Sequence, residues 1–164
     1  MKLCPLTLPS SAPPRREEGK HIGLRKEFPP LQQLKIYHEP YLIWDKETWE
    51  MALSACSVYQ IEADGRYAGD LLLEDQRKGT KYILDFSLLP EYQGKGLGKA
   101  VVEQFKKMGG KFTAVTRKET LGFFLKSGFV LRRTIRDYYR PGVDGYFIVS
   151  MEKPRANIKG SSPK

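Results

Sequence analysis

Three glycines fall at alternate positions in Gln93-Gly94-Lys95-Gly96-Leu97-Gly98-Lys99. A β-type run, Phe86 to Leu89, ends at Pro90 just before them, and an amphipathic helix begins inside the glycine turn. The first amides of a helix have no internal acceptor and point outward. With the positive end of the helix dipole they form an anion site, and phosphate is its usual guest. Lys95 and Lys99 flank the turn and add positive charge. Glycine also serves plain tight turns, but three glycines in five positions exceed what such a turn requires.

The spacing decides which phosphate loop this is. A Walker loop needs four residues between its first Gly and Gly-Lys, followed by Ser or Thr. Here three residues separate Gly94 from Gly98-Lys99, and Ala100 follows. A dinucleotide fingerprint beginning at Gly94 needs a third Gly at position 99, which is Lys. The remaining pattern is Gln93-x-x-Gly96-x-Gly98, and it resembles the acetyl-CoA signature of the GNAT superfamily of N-acetyltransferases. Further segments extend the resemblance in the right order. Phe86-Ser87-Leu88-Leu89-Pro90 is similar to the strand that precedes the signature. Phe124-Leu125-Lys126-Ser127-Gly128-Phe129 stands where the family usually has Tyr-x-x-x-Gly-Phe. The stretch Arg136 to Tyr146, with Tyr138 and Tyr139, resembles the Tyr-Tyr hairpin of the protein N-alpha-acetyltransferase branch. The likeness runs over about residues 57 to 153.

The resemblance implies an α+β fold, with a mixed, largely antiparallel central sheet flanked by helices. It implies acetyl-CoA as cosubstrate, held by Leu88, Leu89, Gln93, Gly94, Lys95, Gly96, Leu97, Gly98 and Lys99, with Phe124 beside the thiol. An amine would attack the thioester carbon directly in a ternary complex, where most of the gain is proximity. The Leu88 amide is the expected oxyanion donor, and Tyr138 and Tyr139 are expected to line the acceptor site. The implied acceptor is a primary amine: a protein N-terminus, a lysine or a small molecule.

The chain also departs from its family. Phe124 replaces the tyrosine that often protonates the leaving thiolate. Arg117 stands where Asn is common, and Phe112 where one relative carries a glutamate base. Asp85 is the remaining carboxylate near the reacting strand and the candidate general base, since an amine is mostly protonated at neutral pH. The plain alternatives are a solvent-facing or Lys-paired Asp85, and packing roles for Tyr138 and Tyr139. The missing tyrosine keeps a second reading open: a catalytically silent GNAT-like binding or structural module, with nucleic acid as a candidate partner.

Composition bounds the rest. A chain of 164 residues, 40% hydrophobic, holds one ordinary core. No apolar run approaches the roughly 20 residues of a membrane span, and no continuous apolar segment of signal-peptide length opens the chain. Two cysteines make no disulfide framework, which suits a reducing, cytoplasmic setting. Cys56 reads as a small core residue within an apolar helix. His21 and His38 are far apart, so no metal site is expected. Of the formal charge of +9, eight charges arise between residues 95 and 133. Such a field suits a polyphosphate cofactor and also attracts nucleic acid, but no aromatic-basic reading motif accompanies it.

Elements must hold these residues in place. Residues 1–31, with six prolines, read as an extended arm, 32–153 as the acetyltransferase-like domain, and 154–164 as a polar tail. Gln33 to Trp44 reads as a first strand, and Asp45 as the cap of a helix to about Ala55. Ser57–Ala63 and Tyr67–Glu74 read as strands joined at Asp64-Gly65. Lys81–Leu89 alternates Tyr82, Leu84, Phe86 and Leu88 against Ile83, Asp85, Ser87 and Leu89. Gly96–Met108 is a helix burying Leu97, Val101, Phe105 and Met108. A strand at Lys111–Thr116 precedes a helix at Glu119–Ser127 burying Leu121, Phe124 and Leu125. A hairpin of Phe129–Tyr139 and Gly145–Glu152 closes the domain.

Overall fold

The computed structural model describes residues 21–26 and 45–151. Its elements are β1 (Ile22–Arg25), α1 (Lys46–Ala55), β2 (Ser57–Ala63), β3 (Arg66–Asp75), β4 (Thr80–Leu88), α2 (Leu97–Lys106), β5 (Lys111–Thr116), α3 (Lys118–Lys126), β6 (Phe129–Arg140) and β7 (Val143–Ser150). Among the described residues the strands form one sheet in the order β1-β2-β3-β4-β5-β7-β6. Only β4 and β5 are parallel, as the helical crossover between them requires. The architecture is the expected α+β fold.

Local chemistry explains the boundaries. Asp45 accepts a hydrogen bond from the Thr48 amide at 2.7 Å and starts α1. Asp64 and Gly65 both take positive φ, 53° and 74°, the geometry of a two-residue hairpin turn. Gly109 and Gly110, at φ of 78° and 86°, follow α2 and lead into β5.

The core lies mainly on one face of the sheet. Leu97, Val101, Val102 and Phe105 of α2 and Phe124 of α3 pack there against Leu71, Leu73, Ile83, Phe112 and Ile148. The opposite face carries a smaller cluster, with Ala52 and Leu53 of α1 against Val58, Leu72 and Leu84. Cys56 is not inside the helix but caps its C-terminus, half-buried beside this cluster. Burial, then the charge of Glu74, pushes its thiol pKa up.

Several expectations are corrected. Ile22–Arg25 lies within the expected arm, yet it pairs with β2 as the edge strand, and Ile22 and Leu24 pack on the core. Four residues suffice because the β2 edge supplies the partners. The proposed strand at Gln33–Trp44 and the tail at 154–164 lie outside the described residues. Met108 falls beyond the end of α2 and is exposed, while Val102 is buried in its place. In α3, Leu125 is exposed and Phe123 joins the core instead. In β4 the strict alternation fails. Leu72 pairs with Asp85 and Leu73 with Ile83, so Leu84 is an extra, bulged residue. Ile83 and Phe86 therefore face the α2 side, and Leu84 the α1 side.

Candidate active site

The site begins where two strands part. The β4–β5 ladder has only three rungs, Thr80–Lys111, Lys81–Phe112 and Tyr82–Thr113. Beyond them β4 continues to Leu88 and β5 to Thr116. On its other side β4 stays paired with β3 as far as Gly69–Leu88. The Leu89 amide donates to the Ala68 carbonyl at 2.8 Å. Amides alternate in direction along a strand, so those of Leu88 and Phe86 point away from β3, toward the opening left by β5. The Leu88 carbonyl shares that direction and accepts from Gln93 Nε2 at 2.7 Å. The Gln93 side chain thus ties the glycine turn back to the strand. Gly69 allows the close approach of the two strands, since a Cβ there would lie 2.0 Å from the Ser87 carbonyl oxygen.

The three glycines do different work. Gly94 and Gly96 take φ of 70° and 76°, which disfavours any residue with a Cβ. A Cβ at either would meet nothing within 4 Å, so the space above the turn is open. Gly98 lies against Phe123, where a Cβ would come within 2.9 Å of the ring. No side chain caps α2. The Ala100 amide donates to the Gly96 carbonyl at 3.4 Å and opens the helical ladder. The amides of Leu97, Gly98 and Lys99 therefore lack helical acceptors. Lys95 and Lys99 are exposed beside them, whereas the Leu97 side chain is buried in the core. An open turn with unclaimed amides and two flanking cations fits a pyrophosphate.

Phe124 is a core residue, 7% exposed. Its ring meets those of Phe123 at 5.1 Å, Phe129 at 5.3 Å and Phe86 at 6.3 Å. Phe112 is likewise buried, against Phe105.

On the α1 side of the sheet, polar groups gather. The β4 bulge turns Asp85 and Ser87 to this face. Asp85 is half-buried, and the Ser87 hydroxyl lies 3.0 and 3.1 Å from its two oxygens. Tyr138 and Tyr139 reach the same region from an irregular stretch of β6, where register slips between Ile135 and Arg140. Asp137 takes φ of 51° there. Its amide donates to Asp144 at 3.0 Å, and its carboxylate accepts from the Gly142 amide at 2.6 Å. Tyr139 donates to the Val115 carbonyl at 3.0 Å. Tyr138 stands edge-on to it, with ring centroids 4.9 Å apart. Gly145 makes room, since a Cβ would lie 2.8 Å from Tyr138.

Two further residues of the region were not singled out from the sequence. Tyr82, on the last β4–β5 rung, has its phenol pKa raised by burial first, then by hydrogen bonding to Tyr138. Asp70 of β3 is fully buried and accepts a hydrogen bond from Tyr67. Its Oδ1 has no hydrogen-bond partner. Burial pushes its pKa up to about 6, against the lowering effect of the Tyr67 bond. The signal for Asp70 was a charged residue directly before the apolar run Leu71-Leu72-Leu73.

The profile of the acetyltransferase (GNAT) family matches residues 24–129. This chain belongs to that family. No curated protein sequence matches it significantly. Similar solved structures include Naa50 of Arabidopsis thaliana in complex with the bisubstrate analogue CoA-Ac-MVNAL, at 21% identity and a TM-score of 0.64, covering 80% of this chain and 99% of that one. A GNAT family acetyltransferase of Elizabethkingia anophelis with acetyl-CoA bound is 15% identical, with a TM-score of 0.64 and coverage of 82% and 99%. Ard1 of Thermoplasma volcanium is 16% identical, with a TM-score of 0.65 and coverage of 80% and 99%. Among the described residues of this GNAT chain, no helix is long and apolar enough to cross a membrane, and no group of side chains is arranged to hold a metal ion.

Proposed function

We propose that this chain transfers the acetyl group of acetyl-CoA to a primary amine. The observation that carries the reading is the uncapped start of α2, where the open Gly94–Gly96 turn lies at the mouth of the β4–β5 opening. The amides of residues 94 to 99 bind the pyrophosphate, and Lys95 and Lys99 add charge. The pantetheine arm runs between the parted strands, past Leu88 and Leu89. The Leu88 amide donates to the oxygen of the tetrahedral intermediate. Phe124 has no proton to give, so it shapes the aromatic wall behind the thiol and does not act as an acid.

The acceptor enters on the α1 side, between Asp85 and the Tyr82, Tyr138 and Tyr139 group. Asp85 takes the amine proton, through water, and the free amine attacks the thioester carbon. The carbon–sulfur bond breaks and the thiolate leaves. A protein N-terminus is the favoured acceptor. The adjacent tyrosines on the last hairpin support this, as does fold similarity to a relative bound to a peptide-based bisubstrate analogue. The two-cysteine composition suits a reducing, cytoplasmic setting.

Calorimetry with acetyl-CoA, followed by thiol release over a panel of peptides, lysine-containing peptides and small amines, tests the reading. Binding with turnover on one acceptor class is expected. The second reading, a GNAT fold without catalysis, draws on the burial of Phe124 in the place of a proton donor. Acetyl-CoA binding without turnover on any amine would favour it.

A further inference from the structure

A row of polar residues crosses four strands on the α1 side of the sheet. Arg25 pairs with Gln60, Gln60 with Asp70, and Asp70 with Ser87. Residues paired across strands share a face. At Ile61–Glu62 the register of β2 and β3 slips, so that Gly69 pairs with Ile61 and Tyr67 with Glu62. The extra residue, Ala68, lets Tyr67 and Asp70 face the same way despite their odd spacing. Tyr67 binds one oxygen of Asp70, and the other is buried and unpartnered. The side chains of Asp70 and Asp85 occupy diagonal positions on β3 and β4, since Asp70 pairs with Ser87 and Leu72 with Asp85. Such neighbours are about 7–8 Å apart. Ser87 lies between them and is hydrogen-bonded to Asp85.

We propose that Asp70 is a positioning residue for the acceptor amine, acting through the charge it places behind Asp85 as the buried member of a two-carboxylate unit on one face of the sheet. The inference rests on the reading of Asp85 as the base. An ammonium acceptor is drawn to two carboxylates rather than one. Its N–H bond breaks, and the proton is held by the pair while the nitrogen lone pair attacks the thioester. The attacking nitrogen's second proton neutralises the departing thiolate, and the carboxyl proton passes to water when product leaves. A carboxyl that titrates near pH 6, as Asp70 does, suits a pair that must accept and return a proton at neutral pH.

Titratable groups along this face of the described strands include Arg25, Glu62, Tyr67, Glu74 and Tyr82. Arg25 is bonded to Gln60 at 3.1 Å and to Glu62 at 3.1 Å. Tyr67 is bonded to Asp70 itself. Glu74 lies further along β3, beside Cys56. Tyr82 lies further along β4, with Tyr138. Asp85 is the carboxylate nearest to Asp70 in the row.

The test compares pH–rate profiles of wild type, Asp70→Asn and Asp85→Asn on an accepted amine, with acetyl-CoA affinity measured alongside. Asp70→Asn keeps an acceptor for Tyr67 and removes one charge. Its acid limb should move to lower pH, since a like charge near the base has gone, and KM for a cationic acceptor should rise more than kcat falls. An unmoved limb and unchanged KM, with Asp85→Asn strongly impaired, would overturn the role of Asp70 and leave Asp85 as base. Wild-type turnover in Asp85→Asn would overturn both. If Asp70→Asn does not fold, carboxyl-carbon NMR titration of the wild type decides: a two-step titration shared by Asp70 and Asp85 supports the pair, and two independent single steps overturn it.

Discussion

Gly98 lies against the ring of Phe123, so close that a Cβ would fall within 2.9 Å of it. This contact sets α2 on α3 and separates two kinds of glycine in one short turn. Gly98→Ala should destabilise the fold by about 1–3 kcal/mol through overpacking, visible as a lower thermal midpoint. Gly96→Asp should behave differently. Left-handed strain costs about 1–2 kcal/mol, and the chain still folds, but a carboxylate enters the anion site. Acetyl-CoA binding by calorimetry should be lost. Unchanged binding would place the pyrophosphate elsewhere.

Asp85 holds the Ser87 hydroxyl with both of its oxygens, at the edge of the acceptor region. Asp85→Asn should lower turnover by about 10²–10⁴-fold, the usual contribution of a general base, with acetyl-CoA affinity nearly unchanged. Steady-state kinetics with calorimetry reads both, and turnover within threefold of wild type would remove Asp85 from the mechanism.

Burial makes Asp70 a cost to the folded state at neutral pH. Its pKa is about 6 in the fold and 3.8 in the unfolded chain, so between these values the native state binds more proton. The stability that this group contributes is complete below about pH 4 and is lost as pH rises through about 6. The gap between the two values corresponds to about 3 kcal/mol. Asp70→Asn should therefore raise stability at pH 7 and flatten its dependence between pH 4 and 6. Denaturant melts at several pH values measure this, and parallel curves for variant and wild type would contradict it.

Phe124 fills a pocket of aromatic rings. From the sequence, Phe124→Tyr reads as structurally tolerated. Burial changes that expectation: a hydroxyl placed there without a partner costs about 1–3 kcal/mol. The thermal midpoint should fall, and a gain in turnover would require the hydroxyl to reach the thiol.

A chain beginning at residue 31 would lose β1. With six prolines, residues 1–31 read from the sequence as dispensable for cofactor binding, but Ile22 and Leu24 pack on the core and Ile22–Arg25 pairs with β2. A lower melting temperature is expected, with acetyl-CoA affinity little changed, because β1 lies three strands from β4.

Strong local chemistry made much of this fold legible. Asp45, Asp64-Gly65, Pro90 and the glycine turn mark boundaries that tertiary packing does not override. What escaped was set by pairing. The bulges at Leu84 and Ala68 leave no mark in a hydrophobic pattern, yet they decide which faces carry Asp85, Tyr82 and Asp70. The strand at Ile22–Arg25 is too short to show a period. Asp70 is visible as a charge at the start of an apolar run, but its meaning depends on Ser87 across the sheet.

The three-rung junction between β4 and β5 has a mechanical consequence. It is the thinnest seam in the sheet, and to either side of it the strands are knit by longer antiparallel ladders. Breathing motions should concentrate there, with the β1–β4 and β5–β7 halves swinging as two leaves. A molecule lodged in the cleft would bridge both leaves and act as a clasp. Amide hydrogen exchange at Lys111–Thr113 should then slow sharply when acetyl-CoA is added, while exchange within the β2–β3 hairpin stays as it was.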